Sequence, residues 1–163
     1  MTLKIVATKD PQRIYRIGNI PSIESLAPEL RNLSRPFVLL LAIDATKFED
    51  NQITMAAREA ISCGLVYLCV WGPDCERVHD LFDQEIVQQQ IEHGPDDVIM
   101  TTWHNKESLD DAVWYFRNVA WPADRFSHCK DWIAVAVNNQ AWADQFSSAR
   151  MSKSRRRGKV VTQ

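Results

Sequence analysis

Seven consecutive uncharged residues, Leu65 to Trp71, run directly into Gly72-Pro73 and then into a charged, periodic segment. No other stretch limits the possible folds as tightly. A strand with no polar face must be covered on both sides, the condition of a parallel sheet between helices. Gly72 permits a sharp turn. Pro73, at the expected first helical position, has no N–H to leave unpaired. Asp74 and Glu76 then place negative charge where a helix dipole is positive.

The rest of the chain repeats this theme. Phe37 to Ile43 is a second uncharged run, followed by Asp44-Ala-Thr46 and a helical pattern from Asp50 to Ser62 that Gly64 closes. Pro73 to about Ile91 carries Val78, Leu81, Phe82 and Ile86 at helical spacing. Val98 to Trp103 alternates as a third strand. Asn105 is the expected N-cap of a helix bearing Leu109, Ala112, Val113 and Phe116. Trp132 to Val137 is the fourth strand, and Asn138-Asn139 precede a last helix through Trp142 and Phe146. Before these units, Leu3 to Thr8 and Arg13 to Ile20 flank an Asp-Pro turn and read as a hairpin or an extended arm. Ser22 to Leu33, interrupted by Pro28, reads as two kinked turns.

Four β-α units at about 30-residue spacing predict an α/β fold. Right-handed crossovers then give a three-layer αβα arrangement with a mainly parallel open sheet of about four core strands, of Rossmann or flavodoxin type. One domain is expected over residues 1–150, with a basic disordered tail over 151–163. Net charge is −2, and the six basic residues beyond Ala149 have no acidic counterpart, which leaves −8 on the body. An acidic body disfavours a nucleic-acid surface on the fold itself, so nucleic acid would be held through the tail alone. The longest uncharged run is too short for a bilayer and the N-terminus lacks a long apolar stretch, so neither a membrane span nor a signal peptide is expected. Four cysteines without a C-x-x-C pair suggest reduced thiols and a cytoplasmic setting.

In such a sheet, ligands gather beyond the carboxyl ends of the strands. That rim would carry Asp44, Cys75 and His104. The catalytic reading makes Cys75 a nucleophile in the first turn of a helix, His104 its base and Asp44 the orienting acid. Against it, Asp74 and Glu76 flank the thiol and would raise its pKa. Cys75 and His79, one turn apart, form half of a metal site whose other half has no matching spacing, so no metal is expected. Neither G-x-G-x-x-G nor G-x-x-x-x-G-K-[ST] occurs, and no cofactor is expected. Six tryptophans are many for 163 residues. Trp114 and Tyr115 fall outside the apolar stripe of their helix, where a partner-facing pair would sit. Arg155, Arg156 and Arg157 in the tail suit an acidic partner.

The run Leu65-Val-Tyr-Leu-Cys-Val-Trp-Gly-Pro-Asp-Cys-Glu-Arg-Val-His-Asp80, with Asp97-Val-Ile-Met-Thr-Thr-Trp-His104 after it, resembles a small uncharacterised bacterial family, a domain of unknown function, over most of Pro36 to Ala123. The resemblance implies a bacterial, cytoplasmic protein and lends no activity. The expected function is therefore a non-catalytic binding or regulatory domain acting through contacts with another protein or with a second copy. The alternative is a cysteine-dependent hydrolase or transferase with its site at the sheet rim.

Overall fold

A computed structural model describes residues 3–6, 8, 10–33, 35–94 and 98–148. The tail, including Arg155, Arg156 and Arg157, lies outside the described residues. The strands are β1 (Lys4–Val6), β2 (Ile14–Ile20), β3 (Phe37–Ala42), β4 (Leu65–Trp71), β5 (Met100–His104) and β6 (Asp131–Val137). The helices are α1 (Leu26–Leu30), α2 (Asp50–Ser62), α3 (Cys75–His93), α4 (Leu109–Asn118) and α5 (Gln140–Ser148). The fold is α/β, built on one six-stranded sheet in the order β1-β2-β6-β3-β4-β5. β1 runs antiparallel to β2, and every other pairing is parallel.

Each face of the sheet has its own core. Leu39 and Leu41 of β3, Leu68 and Val70 of β4, and Ile133 and Val135 of β6 pack with α1, α2 and α3. The alternate residues, Val38 and Leu40, Cys69, and Trp132 and Ala134, pack with α4 and α5. Strand alternation divides the apolar residues between the two faces, so the uncharged runs at the centre of the sheet are the most deeply buried.

Three sequence expectations change. The parallel sheet has five strands, not four, because the N-terminal hairpin is not an appendage: its second strand pairs in register with β6 from Ile14–Asp131 to Ile20–Val137. Arg16 of β2 is tolerated there because its Nε donates to Asp131 Oδ1 at 2.9 Å. α3 begins at Cys75, with Asp74 before it in the left-handed region at φ 59°, so Pro73 belongs to the turn. α4 is capped by Ser108, whose side chain accepts from the Asp111 N–H, and not by Asn105.

Gly72 is required where it stands. It has φ +123°, and a Cβ there would lie 2.1 Å from the Ile43 carbonyl oxygen. The β4–α3 turn therefore lies against the end of β3, where Ile43 N donates to Trp71 O and Ala45 N to Pro73 O.

Candidate functional site

Asp44, Cys75 and His104 do share one rim, just beyond or at the ends of the adjacent strands β3, β4 and β5. Their side chains do not converge. Asp44 is turned onto its own loop, accepting from the Thr46 N–H at 3.2 Å and the Thr46 hydroxyl at 2.5 Å. Cys75 is fully buried in the core beneath α2 and α3. The His104 imidazole lies on the opposite face of the sheet, against Tyr115 of α4 with ring centroids 4.7 Å apart.

The thiol environment follows from this burial. Loss of water pushes the Cys75 thiol up, against the opposing pull of the backbone N–H groups of His104, Cys75 and Gly72. His104 therefore meets Cys75 through its main chain. The other three thiols are also buried and also shifted upward by burial, Cys69 and Cys129 to about 12. A nucleophilic cysteine needs the reverse shift.

The rim is braced by its own side chains. Arg77 donates to Asp74 at 2.7 Å, to Asp50 at 2.6 Å and to the carbonyls of Phe48, at 3.0 Å, and Ala45. One guanidinium thus ties the β3–α2 and β4–α3 loops together. Further along, Trp71 Nε1 donates to the Glu107 carbonyl at 2.9 Å, and its ring meets Trp142 edge-on at 5.1 Å. These contacts hold the end of β4, the loop after β5 and α5 against one another.

Two threonine–histidine–carboxylate chains flank β5, one on each face. On the α4 side, Thr102 Oγ1 lies 3.0 Å from His104 Nε2, and His104 Nδ1 lies 3.1 Å from Glu107 Oε2. A carboxylate only accepts, so Nδ1 carries the hydrogen of the contact with Glu107. On the α3 side, Thr101 donates to Asp83 Oδ1 at 2.6 Å and sits 3.0 Å from His79 Nε2, while His79 Nδ1 is 3.0 Å from Asp80. Sequence reasoning placed His104 at this rim but paired it with Cys75, whereas its side chain meets Thr102 and Glu107. The missing signal was alternation: residues 102 and 104 share a strand face, and 107 follows on the same side.

The second consequence is the position of Trp103. Its indole lies on the fixed His79 ring, with centroids 4.4 Å apart, and is 42% exposed. Met100 is equally exposed, and Val87 and Ile91 of α3 and Val98 before β5 are more so. Among the described residues β5 hydrogen-bonds to β4 alone and ends the sheet. The aromatic pair expected to face a partner behaves differently. The Tyr115 hydroxyl is 2.8 Å from that of Tyr67, so this ring is turned inward, and Trp114 is half-buried. Burial and this hydrogen bond push the Tyr67 hydroxyl well above its ordinary pKa.

Among the described residues no group of three or more His, Cys, Asp or Glu side chains is placed to hold a metal ion, and no helix is long and apolar enough to cross a membrane. No curated protein and no solved structure matches the chain. A family model described as a domain of unknown function (DUF7684) matches residues 21–153, a span that starts just after β2 and covers most of the chain, and the chain belongs to that family.

Proposed function

We propose that this chain is a non-catalytic binding domain that docks a protein partner along β5, the partner supplying an extended strand. The observation that carries this reading is an exposed, rigidly held tryptophan on an unguarded sheet edge. Met100-Thr-Thr-Trp-His104 contains no Lys, Arg, Asp, Glu or Pro, the residues that usually blunt such an edge. The opposite edge is treated otherwise: β1 has three residues, one of them Lys4. Strand addition supplies main-chain hydrogen bonds to β5, and Trp103 supplies the buried aromatic anchor typical of a binding hot spot. His79 holds the indole before the partner arrives, which lowers the entropy lost on binding.

Site-specific crosslinking tests the reading. A photoreactive residue replacing exposed Met100 is expected to give discrete adducts in source cells, while one replacing exposed Glu76 on α3 gives none. Equal labelling from the two positions would remove the proposal.

A catalytic reading keeps one supporting observation, the relay Thr102–His104–Glu107, in which Thr102 takes the place of Cys75 as nucleophile. The burial of Cys75 and its raised pKa weigh against the cysteine-dependent form. A fluorophosphonate that labels the wild type but not Thr102→Val would favour the relay; a chain that never labels returns the weight to binding.

A further inference from the structure

We propose that the strand docked on β5 is basic: it carries two cationic residues three positions apart, with apolar residues between them. This inference rests on the β5 reading and names the chemistry of its partner. The sign of the charge beside the edge is the first observation. β5 has no charged residue of its own. Asp83 of α3 flanks its α3 face and Glu107 its α4 face, with side chains 46% and 43% exposed, so an arriving cation can reach both. Asp80, more exposed still, sits 3.0 Å from His79 Nδ1 and adds the same sign on the α3 side. Of the described cations on the flanking helices, Arg77 is held by Asp74 and Asp50, and Arg117 lies over the Tyr15 ring. Lys106 is exposed in the loop beyond β5.

The spacing of the carboxylates is the second observation. Asp83 Oδ1 accepts from the Thr101 hydroxyl at 2.6 Å, and Glu107 Oε2 lies 3.1 Å from His104 Nδ1. Each acid is thus tied to one rung of β5. Cross-strand neighbours on one face have Cβ atoms about 4.5–5.5 Å apart. A lysine or arginine opposite Thr101 or His104 would therefore reach the carboxylate held there. The two rungs are an odd number of residues apart, so their side chains leave an added strand on opposite faces, as the two acids require. That holds whether the strand runs parallel or antiparallel. Between the rungs the added strand meets Trp103, where an apolar residue covers the indole. Exposed ion pairs are individually weak, so the acids select among strands while main-chain bonds and Trp103 hold them.

Fluorescence polarisation of labelled peptides with the full chain tests the inference. The probe is Thr-Ser-Lys-Val-Val-Lys-Ser-Thr, which offers the pattern in either direction. It should bind saturably, about fivefold or more tighter than the same peptide with both lysines changed to glutamine, the worth of two exposed ion pairs. A peptide with Lys-Val-Lys-Val at its centre, whose lysines share one face, should bind more weakly than the probe. Asp83→Asn/Glu107→Gln should bring the lysine and glutamine peptides within about twofold of each other, and Trp103→Ala should weaken both. Equal binding of those two peptides, a preference that survives the double variant, indifference to Trp103→Ala, or no saturable binding of the probe each overturns the basic partner. Crosslinking from Met100 judges the β5 reading separately, so that reading can stand while this one falls.

Discussion

Replacing Arg16 by Met should destabilise the fold by about 3–5 kcal/mol, the cost of leaving a buried charge without its partner. Asp131 opens β6 between β2 and β3 and is fully buried. One carboxylate oxygen takes the Arg16 Nε at 2.9 Å, and the other has no hydrogen-bond partner among the described residues. Methionine keeps the unbranched stem, so the loss reports charge more than packing. Asp131→Asn should cost less, about 1–3 kcal/mol, because the Arg16 side chain is 21% exposed and can return to water. The double variant Arg16→Met/Asp131→Leu should recover most of the loss, since apolar pairs of similar volume replace buried ion pairs with little penalty. Urea unfolding with an unchanged slope measures each value. In a domain of this size, the single Arg16 change corresponds to a fall of roughly 6–20 °C in thermal midpoint. An Arg16→Met chain within about 1 kcal/mol of wild type, or a double variant worse than that single change, would refute the reasoning.

Three further outcomes follow from the same structure. All four native thiols should react with a disulfide reagent near neutral pH far more slowly than an unfolded control, and one fast thiol at Cys75 would restore the nucleophile reading. Stability should fall as pH rises from about 9 towards 12: unfolded thiols titrate near 8.5, whereas Cys69 and Cys129 hold their protons to about 12, so the unfolded state is favoured by up to about 1.4 kcal/mol per pH unit for each. Urea midpoints over that range measure the slope, and Cys69→Ala should flatten it; an unchanged slope contradicts the assignment. Gly72→Ala should cost at least the upper part of the roughly 1–3 kcal/mol of a strained residue, because its Cβ also meets the Ile43 carbonyl. A loss below about 1 kcal/mol by chemical denaturation would show that the turn relaxes.

The elements that the sequence displays best are those governed by local pattern. The uncharged runs of β3 and β4 announce central strands, and the i, i+3, i+4 spacing of Leu109, Ala112, Val113 and Phe116 marks α4. β2 was harder to place because Arg16 interrupts its apolar pattern, and the carboxylate that makes this acceptable lies 115 residues away. The rim was legible as a set of strand ends. Which face each side chain occupies was not, because Cys75 turns into the core at the first residue of α3 after a left-handed Asp74. The Thr102–His104 pair was within reach of simple alternation along β5. The role of Trp103 was not, since it depends on β5 ending the sheet and on His79 standing beneath the indole.

The most direct test of the docking edge is the mass of the native species that holds this chain, measured in gentle extracts of source cells for wild type and Trp103→Lys. The account predicts a wild-type species heavier than the 18.7 kDa monomer and a folded Trp103→Lys chain that runs as the monomer. A wild type already monomeric, or a Trp103→Lys chain that stays in the heavier species, would contradict it.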